Sequence, residues 1–90
     1  MGIKVHIHQA YRQFTNGLDF VEVEGNNVRD CLEQVVKQFP AMKEALFDRM
    51  GKLLNVVEIY VNMKSAYPDE LGAKVRDGDK IHITLLLAGG

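Results

Sequence analysis

The chain has 90 residues, 47% of them apolar and 26% charged, with a net charge of −1 at neutral pH. This length fits one domain and leaves no room for a second, and the balanced charge argues against nucleic acid as a partner. The single cysteine, Cys31, excludes an internal disulfide and is typical of a reducing compartment. Since no apolar run is long enough for a signal peptide or a membrane span, we expect a cytoplasmic protein without a membrane partner.

The chain begins with two segments in which apolar and polar residues alternate. In segment 3–8 every second residue is Ile or Val, and Lys or His stands between them. Segment 19–24 alternates in the same way, with Phe20 on its polar, outward side. Alternation with period two is typical of a strand with one buried face. The connection 9–18 contains the turn signal Asn16-Gly17, so the two strands are predicted to form an antiparallel hairpin.

One amphipathic helix is predicted after this hairpin. Asn27 is a typical helix N-cap, and Asp30 is favourable near the positive end of the helix dipole. The apolar residues that follow have helical spacing and form one stripe, which we interpret as core: Val28, Leu32, Val35, Val36 and Phe39. Pro40 ends the helix near Phe39, and segment 41–47 is compatible with a short second helix.

Two further strands are predicted in the second half of the chain. Segment 56–62 alternates and directs Tyr60 outward. Segment 63–75 is irregular, with room for a short edge strand or a turn of 3₁₀ helix. Asp77-Gly78-Asp79 is a strong turn signal, and the alternating apolar run 80–87 that follows it is the last strand.

These elements predict an α+β fold of the β-grasp type. Each strand has one apolar and one polar face, so the sheet is covered on one side only, by one main helix. The first and last strands are expected to pair in parallel at the centre of a mixed sheet, because the helix can supply the crossover. We expect a β-grasp domain over 1–87 and a flexible C-terminal tail over 88–90, since glycine raises backbone entropy.

Five segments of the chain resemble one known family. They are Ala10-Tyr11-Arg12-Gln13-Phe14, Val28-Arg29-Asp30-Cys31-Leu32, Ile59-Tyr60-Val61-Asn62, and Asp77-Gly78-Asp79-Lys80-Ile81 together with the final Ala88-Gly89-Gly90. With them the chain resembles, over nearly its whole length, the ubiquitin-like sulfur carriers. That family includes the small subunit of molybdopterin synthase and the thiamin-pathway carrier. Two positions differ from the pattern: Leu85-Leu86-Leu87 stands where many members have a proline, and Met63 follows Asn62 where many have glycine.

The resemblance implies a role for the terminal carboxylate of Gly90. In such carriers a ubiquitin-activating-type adenylyltransferase, using ATP and Mg²⁺, converts this carboxylate into an acyl-adenylate. A sulfur donor protein then displaces AMP, and the resulting thiocarboxylate gives its sulfur to an acceptor enzyme such as the large subunit of molybdopterin synthase. Ala88 and Gly89 would thread the partner's active site. The chain would thus be a carrier without catalytic residues, bound cofactor or metal, and its length favours the molybdopterin type.

Two other functions stay open. A ubiquitin-like protein modifier would be joined through Gly90 to lysines of target proteins, and its chemistry is shared as far as the adenylate. A β-grasp module that only binds a partner would need no activation.

The chain has no phosphate-binding loop for ATP, since Gly51-Lys52 lacks the earlier glycine of that motif and is followed by Leu53. Activation is therefore expected to require a separate enzyme.

A docking patch for partners is expected on the uncovered face of the sheet, where three large apolar side chains are predicted: Phe20, Tyr60 and Leu86. Three histidines are expected on the same face, and we favour solvated side chains over a zinc site for His6, His8 and His82. Cys31 lies in the first turn of the helix, a position that favours a thiolate. We nevertheless interpret it as a small buried hydrophobe.

Overall fold

The computed structural model describes residues 2–86, and its elements follow the predicted order. The strands are β1 (Ile3–Ile7), β2 (Phe20–Val23), β3 (Val57–Val61), β4 (Lys64–Ser65) and β5 (Lys80–Leu85). The helices are α1 (Val28–Gln38), α2 (Met42–Leu46) and a 3₁₀ helix (Gln9–Phe14). The predicted boundary between a domain over 1–87 and a tail over 88–90 lies outside the described residues and stays a prediction.

The five strands form one mixed sheet in the order β2-β1-β5-β3-β4. Strand β1 pairs with β2 antiparallel and with β5 parallel, so the first and last strands lie together at the centre. Strand β3 pairs antiparallel with both β5 and β4. A parallel pair needs a crossover connection, and α1 lies in the segment that makes it. The predicted β-grasp arrangement is thereby confirmed.

Helix α1 covers one face of the sheet because its apolar stripe is buried there. The side-chain oxygen of Asn27 accepts a hydrogen bond from the backbone N–H of Asp30 at 2.8 Å, which caps the first turn. Three residues of the predicted stripe are fully buried: Val28, Leu32 and Val35. They pack with alternate residues of the four longer strands, among them Ile3, Val5, Val21, Ile59, Ile81 and Ile83. The opposite face of the sheet, which we call the outer face, is free of helix.

The connection between β1 and β2 contains structure that the turn signal did not predict. A 3₁₀ helix occupies Gln9–Phe14, and the Nδ1 atom of His8 accepts a hydrogen bond from the N–H of Ala10 at 3.0 Å. Tyr11 is buried in this segment and joins the core. The segment therefore contributes to the core as well as joining the two strands. No helix within residues 2–86 is long and apolar enough to cross a membrane.

Candidate partner-binding site

The strand register brings four ring-bearing side chains into one line across the outer face. His6 of β1 is the register partner of Phe20 on β2 and of His82 on β5, and His82 is the partner of Tyr60 on β3. The rings of His6 and Phe20 have centroids 5.9 Å apart, and those of His6 and His82 are stacked at 4.5 Å with an interplanar angle of 9°. We call this set the aromatic row: Phe20, His6, His82 and Tyr60.

The aromatic row lies among charged side chains of both signs. On the side toward the N-terminus of β1, Lys4 is the register partner of Glu22 on one side and of Lys80 on the other. The Nζ atom of Lys4 lies 5.1 Å from the centre of the Phe20 ring, within the range of a cation–π interaction. On the other side of the row, the Thr84 hydroxyl donates a hydrogen bond to the backbone oxygen of Glu58. The row is thus an apolar line with a polar border, which is the general composition of a protein-binding surface.

The three predicted docking residues do not form one cluster. Phe20 is 40% exposed and Tyr60 is half-buried, and both belong to the aromatic row. Leu86 is 50% exposed and follows β5, where its N–H donates to the backbone oxygen of Val56 at 2.7 Å. It lies four residues beyond His82, or about 13 Å along the strand at ~3.3 Å per residue. Leu86 therefore marks the end of the outer face from which the C-terminal residues continue.

Leu86 also lines a groove of about 810 Å³ beside strand β3. Leu53 and Tyr67 are among the other residues in the wall of this groove, and Tyr67 is 77% exposed. The groove and the aromatic row are consequently two separate candidate contact regions, one at the end of β5 and one across its first half.

The histidines separate into a pair and a single residue. His6 Nε2 and His82 Nδ1 are buried and have no hydrogen-bond partner. Burial lowers the pKa of His6, and the nearby His82 and Lys80 lower it further. His8 is not part of this pair, because its Nδ1 atom is bound to the N–H of Ala10. Within residues 2–86 no three side chains of His, Cys, Asp or Glu are grouped so that they could hold a metal ion.

The interpretation of Cys31 as a small buried hydrophobe is confirmed. Cys31 is fully buried, and burial, followed by the neighbouring Asp30 carboxylate, raises the pKa of its thiol to about 11. The cost of removing a charge from water thus outweighs the favourable end of the helix dipole, so the position in the first helical turn does not produce a thiolate.

Three predicted site residues lie outside the described part of the chain: Ala88, Gly89 and Gly90. The sequence interpretation assigned His6 and His82 to the outer face but did not place them between Phe20 and Tyr60. Alternation within a strand shows which face a residue occupies, whereas the register decides which residues are neighbours. The register is given by the strand pairing in the structure and not by the sequence pattern.

The fold and the outer face define a β-grasp domain whose central strand leads to the terminal glycines. The chain belongs to the ThiS family, whose model matches residues 5–90 and whose members are ubiquitin-like sulfur carriers. No curated protein matches the chain.

Several solved structures are similar to the whole chain. A chain of the BexX/CysO complex of Amycolatopsis orientalis is 30% identical, with a TM-score of 0.88 over 98% of this chain and 99% of that chain. CysO of Mycobacterium tuberculosis is 26% identical, with a TM-score of 0.85 over 94% of this chain and 99% of that one. A putative molybdopterin converting factor, subunit 1, of Pyrococcus furiosus is 26% identical, with a TM-score of 0.73 over 97% of this chain and 99% of that chain.

Proposed function

We propose that this protein is a sulfur carrier that acts as a co-substrate and has no catalytic residue of its own. Its Gly90 carboxylate would be adenylated by a separate enzyme and then converted to a thiocarboxylate. The observation that carries this proposal is the match to the ThiS family model, which extends to the terminal glycine. Ala88 and Gly89 would enter the partner's active site, because two small residues leave the acyl carbon unhindered.

The chemistry requires activation, since a carboxylate is anionic and has no good leaving group. One oxygen of Gly90 attacks the α-phosphate of ATP, pyrophosphate leaves, and an acyl-adenylate forms. The terminal sulfur of a persulfide on a donor protein then attacks the acyl carbon, and AMP leaves with the electron pair of the broken bond, which gives an acyl disulfide. A thiol attacks the donor's sulfur in this disulfide and forms a new disulfide with it, while the electron pair of the broken S–S bond stays on the released C-terminal thiocarboxylate. The thiocarboxylate then delivers its sulfur to an acceptor enzyme. The ATP and Mg²⁺ belong to the activating partner.

The outer face is proposed as the surface that this activating partner covers. The aromatic row contains His82 of β5, and β5 is the strand that leads to Gly90. An enzyme that holds the terminal carboxylate is thereby brought against this face. The similar chain of the BexX/CysO complex was solved in a complex, which supports a protein as the partner of this chain.

A molybdopterin-type pathway is proposed for the sulfur. It is supported by the length of the chain and by the similarity to the Pyrococcus furiosus protein described as a putative molybdopterin converting factor subunit. The acceptor would then be an enzyme such as the large subunit of molybdopterin synthase. Intact mass of the protein from its host would show replacement of one oxygen by sulfur at the C-terminus.

The test of the central proposal is deletion of Gly90. Deletion withdraws the carboxylate by about 3.3 Å, one residue's reach, and a reacting pair must approach to roughly 3–3.5 Å. We expect ATP–pyrophosphate exchange with the cognate activating enzyme to be lost. The melting temperature should barely move, because the deletion leaves the core residues unchanged.

A tag appended after Gly90 should abolish exchange in the same way, whereas the same tag placed before Met1 is the matched control and should not. Replacement of Gly89 by Trp should also block exchange. Normal exchange by the deletion variant would refute the proposal. Branched Gly-Gly remnants on lysines of host proteins, without any thiocarboxylate, would instead indicate a protein modifier.

A further inference from the structure

The centre of the aromatic row consists of two histidine rings packed against each other. His6 and His82 are register partners on the two central strands, with ring centroids 4.5 Å apart and an interplanar angle of 9°. The pair has Phe20 beside it on one side, and Tyr60 is in register on the other. Two parallel rings at this distance form a flat surface, and its position is fixed by the strand backbones on both sides.

The stacked geometry suits uncharged imidazoles. Two positive charges at this separation would repel each other, because they are close together and only partly screened by water. His6 Nε2 and His82 Nδ1 are buried without a partner, so a proton on either of these atoms has no acceptor in residues 2–86. The ionisable groups that face the pair from its own and neighbouring strands are Lys4, His8, Asp19, Glu22, Glu58, Tyr60 and Lys80.

We propose that the stacked His6–His82 pair is the centre of the docking surface, and that a partner covers it with a flat apolar side chain while both rings are uncharged. This inference rests on the proposed function, since the occupant is the enzyme that activates Gly90. Coverage removes the remaining water from the pair and disfavours its charged form. Binding therefore releases a proton wherever His6 of the free protein is partly charged.

The sign of this effect follows from linkage. The pKa of His6 is already lowered in the free protein, and coverage lowers it further. Affinity is then constant at high pH and falls as the pH drops through the range in which His6 of the free protein takes up a proton. A partner that placed carboxylates over the pair would give the opposite sign.

The charges of the outer face favour the apolar partner. Two lysines, Lys4 and Lys80, lie on one side of the row, but Glu22 is the register partner of Lys4, and Glu58 lies beyond the row on β3. The outer face thus has as many acidic as basic strand residues, and this balance selects no highly charged partner surface. The apolar line of Phe20 and the histidine pair is the feature that a partner can recognise.

The experiment measures the affinity of the full chain for its cognate activating enzyme by calorimetry at pH values of about 7.5 and 5.5, which bracket the titration of histidine. The expected result is weaker affinity at the lower pH, by less than the roughly tenfold loss that a histidine of unperturbed pKa would give, because the pKa of His6 is lowered. Repetition in two buffers with different ionisation enthalpies counts the protons released. The double variant His6→Phe with His82→Phe keeps two rings, but neither ring can be charged. Its affinity should therefore change less between the two pH values than the affinity of the unchanged protein.

His8→Asn is the matched control, because it removes a nearby histidine outside the pair and keeps an acceptor for the Ala10 N–H. The affinity of this variant should depend on pH as that of the unchanged protein does. Any pH dependence that comes from groups of the enzyme itself is the same for every variant and can thus be subtracted. Affinity that rises as the pH falls, or an equal fall in the double variant, would overturn the inference. If the enzyme adenylates the unchanged protein but affinity does not vary with pH, this inference fails and the proposed function stands. Absence of adenylation at either pH would refute the proposed function instead.

Discussion

Met63 has a backbone conformation that is unfavourable for its side chain. It follows Asn62 in the two-residue loop between β3 and β4, and the two residues have φ angles of 70° and 51°. Positive φ at both positions is the requirement of a type I′ hairpin turn, for which Asn-Gly is the preferred pair. We predict that Met63→Gly stabilises the protein by about 0.5–1 kcal/mol, the cost of the left-handed conformation reduced by the entropy of glycine. Thermal unfolding should show a rise of about 3–6 °C.

The matched control is Met50→Gly, because Met50 is 83% exposed, as Met63 is 74% exposed, but does not have a positive φ. This change should destabilise by about 0.5 kcal/mol, since only the entropic cost of glycine remains. A similar loss of stability in both variants would show that the turn at Met63 is not strained.

The start of α1 depends on the side chain of Asn27. Its oxygen accepts the N–H of Asp30 at 2.8 Å, and Asp30 in turn accepts the N–H of Asn26 at 3.2 Å. Loss of an N-cap leaves a helix donor without a partner and typically costs about 1 kcal/mol. We predict that Asn27→Ala lowers the free energy of unfolding by about this amount in urea titration. Asn27→Ser should retain most of the stability, because serine also caps.

Asn26→Ala is the control for this helix start, since Asn26 takes part through its backbone and its side chain is exposed. It should change the free energy of unfolding by less than about 0.5 kcal/mol. An equal loss in the Asn26 and Asn27 variants would contradict the assignment of the cap.

The whole molecule presents two different faces, because only one side of the sheet is covered by α1. We predict that Phe20→Lys and Tyr60→Lys leave the fold intact and each raise the KM for adenylation about tenfold, since a charged side chain would be buried against the partner. The free energy of unfolding should change by no more than about 0.5 kcal/mol for Phe20→Lys, because exposed positions tolerate substitution. Adenylation kinetics with the cognate activating enzyme and urea titration of each variant are the two measurements.

The control for the outer face is Gln34→Lys, which adds the same side chain at an exposed position of α1 on the opposite side of the sheet. Its KM should be unchanged. Normal adenylation of both outer-face variants would show that the docking surface is not the outer face but another region, for example the groove beside Leu86.

Local sequence patterns were sufficient to predict the strands and α1 of this protein. Alternation placed β1 and β2 within one residue of their observed ends, because a strand with one buried face must alternate. Asn27 and Pro40 predicted the limits of α1, since capping and the loss of a backbone donor act within a few residues. The covered and uncovered faces of the sheet followed from the same alternation.

The 3₁₀ helix between β1 and β2 was not predicted by the local pattern. Its turn signal Asn16-Gly17 lies after the helix, and the burial of Tyr11 is a tertiary contact. Cys31 was correctly interpreted as a small buried hydrophobe, and its raised pKa is decided by how completely the surrounding core excludes water. Both the burial of Tyr11 and that of Cys31 arise from packing between segments that are distant in the chain.

The sequence by itself determined the order of the strands and of α1, the two faces of the sheet, and the protein family that the chain resembles through motifs such as its terminal glycines. Only the tertiary structure decided that His6 and His82 stack between Phe20 and Tyr60, and that Leu86 lies apart from them. Alternation repeats every two residues and is blind to the partner strand, so shifting the register by two residues would leave each pattern unchanged. The register is fixed by the joint packing of all strands against α1, and this packing selects the residues that meet on the outer face.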